Sequence, residues 1–137
     1  MGMIKTYKTQ GVPMRILIVD DNRDIIELLQ RVLRLEGHEV IIARDGLEAL
    51  QQEAVTNPEF IVLDVNLPRI DGWEVCRRIK AKRQVPILLL TVRSEPIDID
   101  LSREAGADGH LLKPFDITSF LDRLQQIRDN LSTTFVS

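Results

Sequence analysis

Five oily runs of strand length alternate with five segments of helical period along this chain, and that alternation limits the fold more than any other feature. The strand candidates are "RILIV" at 15–19, "EVIIA" at 39–43, "FIVLD" at 60–64, "PILLLT" at 86–91 and "HLLK" at 110–113. The middle runs are apolar without alternation, as strands covered on both faces are. Between them, Ile25, Leu28, Leu29, Val32 and Leu35 form one helical stripe, and Leu47, Leu50 and Ala54 a second. Trp73, Cys76 and Ile79 form a third, Ile97, Leu101 and Ala105 a weaker fourth, and Ile117, Phe120, Leu121, Leu124, Ile127 and Leu131 a fifth. Strand-helix alternation of this kind specifies a parallel sheet covered by helices. Gly37 after the first helix, Gly106 after the fourth and Pro58 before the third strand punctuate the chain at the same places.

The 137 residues suit one domain, read here as 14–131, with a flexible polar leader at 1–13 and a frayed tail at 132–137. A net charge of −3, with Lys and Arg scattered among acids, gives no basic field for a phosphate backbone, so direct nucleic-acid binding by this chain is not expected. One cysteine, Cys76, excludes an internal disulfide and suits a reducing cytoplasm. No apolar run approaches bilayer length, and no membrane association is expected.

The run "MRILIVDDN" ends in two adjacent acids, Asp20 and Asp21. Unit charges about 4 Å apart repel by about 4 kcal/mol at an effective dielectric of about 20. In an open parallel sheet, ligands bind beyond the carboxyl ends of the strands. Asp20 and Asp21 close the first strand, Asp64 the third, Thr91 the fourth and Lys113 the fifth, so all five polar groups fall on one edge. Three converging carboxylates call for a hard divalent cation, and Mg²⁺ takes oxygen ligands. With a hydroxyl and an ammonium beside them, the set suits a metal and a phosphoryl group. Taken singly, each residue has a plainer use. Asp21 or Asn22 can cap the first helix, Asp64 can be a turn residue with Asp71 capping the third helix, and Lys113 can be an ordinary surface charge.

The segments "ILIVDDN", "IVLDVNLPRIDGWEV", "PILLLTVRSE" and "GADGHLLKPF", in that order and at these separations, resemble the receiver (CheY-like) domain of bacterial two-component response regulators. The resemblance implies a flavodoxin-like, doubly wound five-stranded parallel sheet in the order 2-1-3-4-5 with five helices. It implies that Asp64 is the phosphoacceptor, taking a phosphoryl group from a sensor histidine kinase or phosphotransfer protein. Mg²⁺ would then be held by Asp21 directly, by Asp20 mainly through water, by Asp64, and by the backbone carbonyl of Asn66. Thr91 would be the switch hydroxyl, Lys113 the partner of acceptor and phosphoryl oxygens, and Lys113-Pro114 a cis bond. Asn66 and Arg93 would tune hydrolysis of the acyl phosphate. Output would pass through the fourth helix, fifth strand and fifth helix to another protein or a second copy, with Asp108 and Arg123 either contributing or standing as solvated charges.

Two positions depart from the family pattern. His110 occupies the switch position where Tyr or Phe is usual. It is smaller, and histidine as a type titrates near neutrality, which points to a switch that is weaker, pH-dependent or routed otherwise. Val92 is bulkier than the usual small residue and is expected to narrow access to the phosphoryl site. Such a domain is not an enzyme beyond phosphorylating and dephosphorylating itself. Two other readings fit the sequence: a phosphorylation-independent pseudo-receiver, against which the full acid set speaks, and a Mg²⁺-dependent phosphohydrolase with an Asp nucleophile. The second usually places its nucleophile after the first strand with another acid two residues on, where this chain has Asn22.

Overall fold

The computed structural model describes residues 12–92 and 95–136, with side chains described to 130. The expected leader, apart from Val12 and Pro13, and Arg93 lie outside the described residues. The elements are β1 (Arg15–Val19), α1 (Arg23–Leu35), β2 (Glu39–Ala43), α2 (Gly46–Thr56), β3 (Phe60–Asp64), α3 (Gly72–Lys80), β4 (Ile87–Thr91), α4 (Pro96–Glu104), β5 (Gly109–Leu112) and α5 (Ile117–Val136). All strand pairs are parallel, in the order β2-β1-β3-β4-β5. The first three strands match the sequence reading at both ends. β4 begins one residue later than read, and β5 is shifted by one, so Lys113 follows it directly.

Successive residues along the central strands serve opposite faces. Ile16, Ile18, Phe60, Val62, Leu88 and Leu90 meet α1 and α5. Leu17, Val19, Ile61, Leu63, Ile87 and Leu89 meet α2, α3 and the end of α4. Burial on both faces explains why these strands read as unbroken apolar runs. The helices turn in sharply defined places: Asn22 accepts from the N–H groups of Asp24 and Ile25, Asp45 from Glu48 and Asp71 from Glu74. At the other ends, Gly37 and Gly106 adopt φ of 93° and 90° just past α1 and α4, a region L side chains avoid.

Three helical stripes were read correctly only in part: Ile25, Leu29, Leu50 and Ala105 do face the core. In α1 the buried residues are Ile26, Leu29 and Leu33, whereas Leu28 is exposed and Leu35 is 67% exposed. Apolar residues occupy more of this helix than the sheet covers, so periodicity alone does not pick the inward arc. In α2 the buried residues are Gly46, Ala49 and Glu53, with Leu47 and Ala54 facing out. Glu53 points inward because Arg83 meets it at 2.6 Å while donating also to the Pro58 carbonyl. In α4, Ile97 faces solvent. The segment 132–136, expected to be a frayed tail, continues α5 to Val136.

His38, in the turn before β2, accepts the Met14 N–H on Nδ1 at 2.9 Å. Burial, followed by the charge of Arg128, holds its pKa below the ordinary 6.5. The native state therefore resists a proton that the unfolded chain takes up. The stability this provides is complete above pH 6.5 and is lost as the pH falls through the lower native value. His38→Asn keeps an acceptor and removes the titration. As the pH falls below 6.5 the wild type is expected to lose stability relative to this variant, measured by urea unfolding.

Candidate functional site

The carboxyl ends of β1, β3 and β4 and the residue after β5 bring Asp20, Asp21, Asp64, Thr91 and Lys113 to one edge. Asp20 is wholly buried at 0% exposure and Asp64 nearly so at 4%, while Asp21 is exposed. One oxygen from each of the three carboxylates lies within 4.8 Å of the others. Lys113 Nζ is 3.0 Å from Asp20 Oδ2 and 3.4 Å from Asp64 Oδ1, so one ammonium is shared by two carboxylates. The other oxygen of Asp20 accepts the Asn22 N–H at 2.9 Å. Asp64 accepts from the Asn66 N–H at a longer 3.3 Å.

Burial, reinforced by the negative charge of Asp20, pushes the Asp64 carboxyl up to about 6, against the opposing pull of Lys113 and the Asn66 N–H. One cation does not neutralise three acids. Hard oxygen donors at this spacing, with a residual negative charge and an exposed side at Asp21, fit a small divalent cation. The helix-cap alternative is settled by geometry: Asn22 is the cap of α1 and Asp71 that of α3. Asp21 caps neither helix, while Asp64 does take a turn bond from the Asn66 N–H at its own strand end.

Local backbone geometry sets the site. A Cβ on Gly72 would stand 2.3 Å from the Asp64 carbonyl oxygen and 2.7 Å from Val65 Cα, so only glycine lets α3 begin directly against the end of β3. The Gly72 N–H donates to the Val65 carbonyl at 2.8 Å and closes the loop between them. Thr91 is buried, and its carbonyl accepts the Lys113 N–H at 2.8 Å, which aligns the ends of β4 and β5. The Lys113-Pro114 bond is cis. Val92 is exposed.

His110 is half-buried in β5, and its carbonyl accepts from the Arg123 guanidinium. A cleft of about 330 Å³ beside it includes Pro114, Phe115, Ser119 and Arg123. Asp108 is paired with Lys80 at 2.7 Å and accepts the Ile87 N–H. Neither Asp108 nor Arg123 is therefore a plain solvated charge. The sequence reading missed Trp73 as a site residue. It took this side chain for core, against which Trp73 does pack, yet the residue also lines a cleft of about 480 Å³ with Asp21, Asn66, Pro68 and Asp71. The signal available was its position immediately after the Asp71-Gly72 cap.

The family model for the response regulator receiver domain matches residues 16–125. The chain belongs to that family. Among curated relatives of this receiver, the response regulator MprA of Mycobacterium sp. (strain KMS) is 43% identical over 117 residues, covering 85% of this chain and 51% of that protein. MprA of Mycobacterium avium is 44% identical over 115 residues, 83% of this chain and 50% of its own. The receiver thus spans about half the length of the curated relatives it matches. Chemotaxis response regulator CheY4 of Vibrio cholerae superimposes with a TM-score of 0.80 at 32% identity, covering 85% of this chain and 99% of that one. The BeF3-activated receiver domain of Klebsiella pneumoniae RstA gives 0.77 at 30%, covering 82% and 96%. The fold is the CheY-like, flavodoxin-like one. Among the described residues, no helix is long and apolar enough to cross a membrane.

Proposed function

We propose that this receiver accepts a phosphoryl group on Asp64 from a sensor histidine kinase or phosphotransfer protein, and that the modified domain changes its binding to an output protein or a second copy. The observation that carries the reading is the three-carboxylate cluster with Lys113 spanning two of its members. Asp20, Asp21, Asp64 and the backbone carbonyl of Asn66 would hold Mg²⁺, which supplies charge neutralisation to the reacting oxygens. Without metal the Asp64 carboxyl stands at about 6, and a bound cation would favour its ionised form. An Asp64 oxygen attacks phosphorus while the donor's P–N bond breaks and the imidazole leaves with the electron pair. Lys113 already stands within reach of Asp64 and can follow the new oxygens, and Thr91, buried at the end of β4, would supply a hydroxyl to them. The phosphoryl group replaces about one negative charge by about two and adds strong acceptors. It shifts the domain between states only by what it binds better in one of them.

In this reading Asn66 and Arg93 set the lifetime of the acyl phosphate, and His110 holds the place of the switch aromatic. The face of α4, β5 and α5 is the output surface. Acetyl phosphate with MgCl₂ is expected to add the mass of one phosphate to the intact protein, and Asp64→Asn to add none. Absence of added mass in the wild type would favour a phosphorylation-independent interaction module. Steady turnover of phosphoesters would favour a hydrolase.

A further inference from the structure

Helix α4 is held unlike its neighbours. Of its nine residues only Ser102 is buried, at 6% exposure, and Ile97 is 64% exposed. Glu95 precedes it with no side-chain capping bond. Apolar burial within the helix therefore does little to fix it on the sheet. Its grip comes from one face of α3, where Trp73, Cys76 and Lys80 recur at helical spacing. Trp73 Nε1 donates to Ser102 Oγ at 3.0 Å. Cys76 Sγ, its thiol pushed up to about 11 by burial, donates to the Ala105 carbonyl at 3.4 Å. Lys80 pairs with Asp108 at 2.7 Å.

Trp73 differs from the other two in touching both places. Trp73 lines the cleft with Asp21 and Asn66, while its N–H holds the one buried residue of α4. Ser102 Oγ passes the contact on by donating to the Asp98 carbonyl one turn back, at 3.1 Å. On the cleft side, Trp73 follows Gly72, whose N–H is bound to Val65 and whose Cα packs on Asp64 and Val65 with no room for a Cβ. A displacement of the loop after Asp64 thus reaches the indole through one residue. A neutral hydrogen bond weakens steeply as its angle opens.

We propose that Trp73 is a positioning residue that couples occupancy of the acidic cleft to the placement of α4, by a route separate from Thr91 and His110. The inference rests on the receiver reading of the cleft. It also gives the expectation of an otherwise-routed switch, raised by His110, a physical path.

The test uses the whole chain, ¹⁵N-labelled, titrated first with MgCl₂ alone and then with beryllium fluoride. In the wild type, the amides of Val65 and Asn66, the Trp73 indole N–H and the α4 amides 97–104 are expected to shift together. In Ser102→Ala the Mg²⁺ dissociation constant should stay within about threefold, the 65–66 amides should respond as before, and the α4 response should fall by more than half. Trp73→Phe, which keeps a ring and loses the donor, should silence α4 in the same way. Without metal, both variants should exchange their α4 amide hydrogens up to about tenfold faster, the factor one modest hydrogen bond can supply. The coupling is overturned if α4 tracks Mg²⁺ equally in both variants, or stays still in the wild type while amides 65–66 move. If even those two amides ignore Mg²⁺ and beryllium fluoride does not bind, the receiver reading falls and takes the coupling with it.

Discussion

Asp64→Asn in metal-free buffer at pH 7.5 is expected to melt about 4–8 °C above the wild type. The native state holds this carboxyl at about 6 against an ordinary 3.8, chiefly through burial and the charge of Asp20. Its ionised form therefore opposes folding. Between these two values the native state binds more protons than the unfolded chain, so the wild type gains stability as the pH falls from 6 toward 4. At about 1.4 kcal/mol per pH unit the full effect is at most about 3 kcal/mol, and the open, wet side of the cluster at Asp21 reduces it to about 1–2. A domain of this size moves roughly 3–5 °C per kcal/mol.

The sign is the useful part. The advantage of the variant should shrink steadily below pH 6 and be gone near pH 4. It should also be offset by MgCl₂, since a ligand at 100 times its dissociation constant stabilises the folded state by about 2.7 kcal/mol and the variant forfeits part of that binding. Calorimetry at three pH values with and without magnesium checks both. A variant no more stable than the wild type at pH 7.5 would mean that the acidic cluster stores no repulsion.

Arg83→Ala is expected to cost about 3 kcal/mol, lowering the melting point by roughly 10 °C. Glu53 is buried on the inner side of α2, and Arg83 answers it at 2.6 Å while also satisfying the Pro58 carbonyl. Removing the guanidinium leaves a carboxylate without its cation inside the protein. Glu53→Gln in the same background should recover more than half of the loss, because a neutral amide is cheaper to bury than an unpaired charge. Urea unfolding of the two single variants and the double variant gives the coupling directly. A double variant as unstable as Arg83→Ala would assign the loss to the Pro58 bond.

What could be read from the chain before its structure follows from where each signal is encoded. The strands were legible nearly to the residue because burial on both faces leaves no polar position to confuse the run. Asp20, Asp21, Asp64, Thr91 and Lys113 were legible as a set because parallel topology brings consecutive strand ends to one edge. The inward arc of α1 was not, since Leu28 and Leu35 are as apolar as Leu29 and Leu33, and only the way the helix packs on the sheet decides between them. Glu53 was hidden for a different reason. A buried acid is recognised by its partner, and Arg83 lies thirty positions away. Trp73 looked like core because a ring that packs on one side and borders a cleft on the other has the same sequence periodicity as a ring that is merely buried.

The sharing of Lys113 sets the two buried acids apart. Asp20 grips the ammonium at 3.0 Å and is fixed in turn by the Asn22 N–H, whereas Asp64 stands farther off at 3.4 Å. Asp20 works as a mooring and Asp64 as the berth. In the proposed phosphorylation of Asp64, the lysine held by Asp20 already stands beside the accepting oxygens. Neutralising Asp20 would remove the shorter of the two carboxylate contacts and leave the ammonium on Asp64 alone.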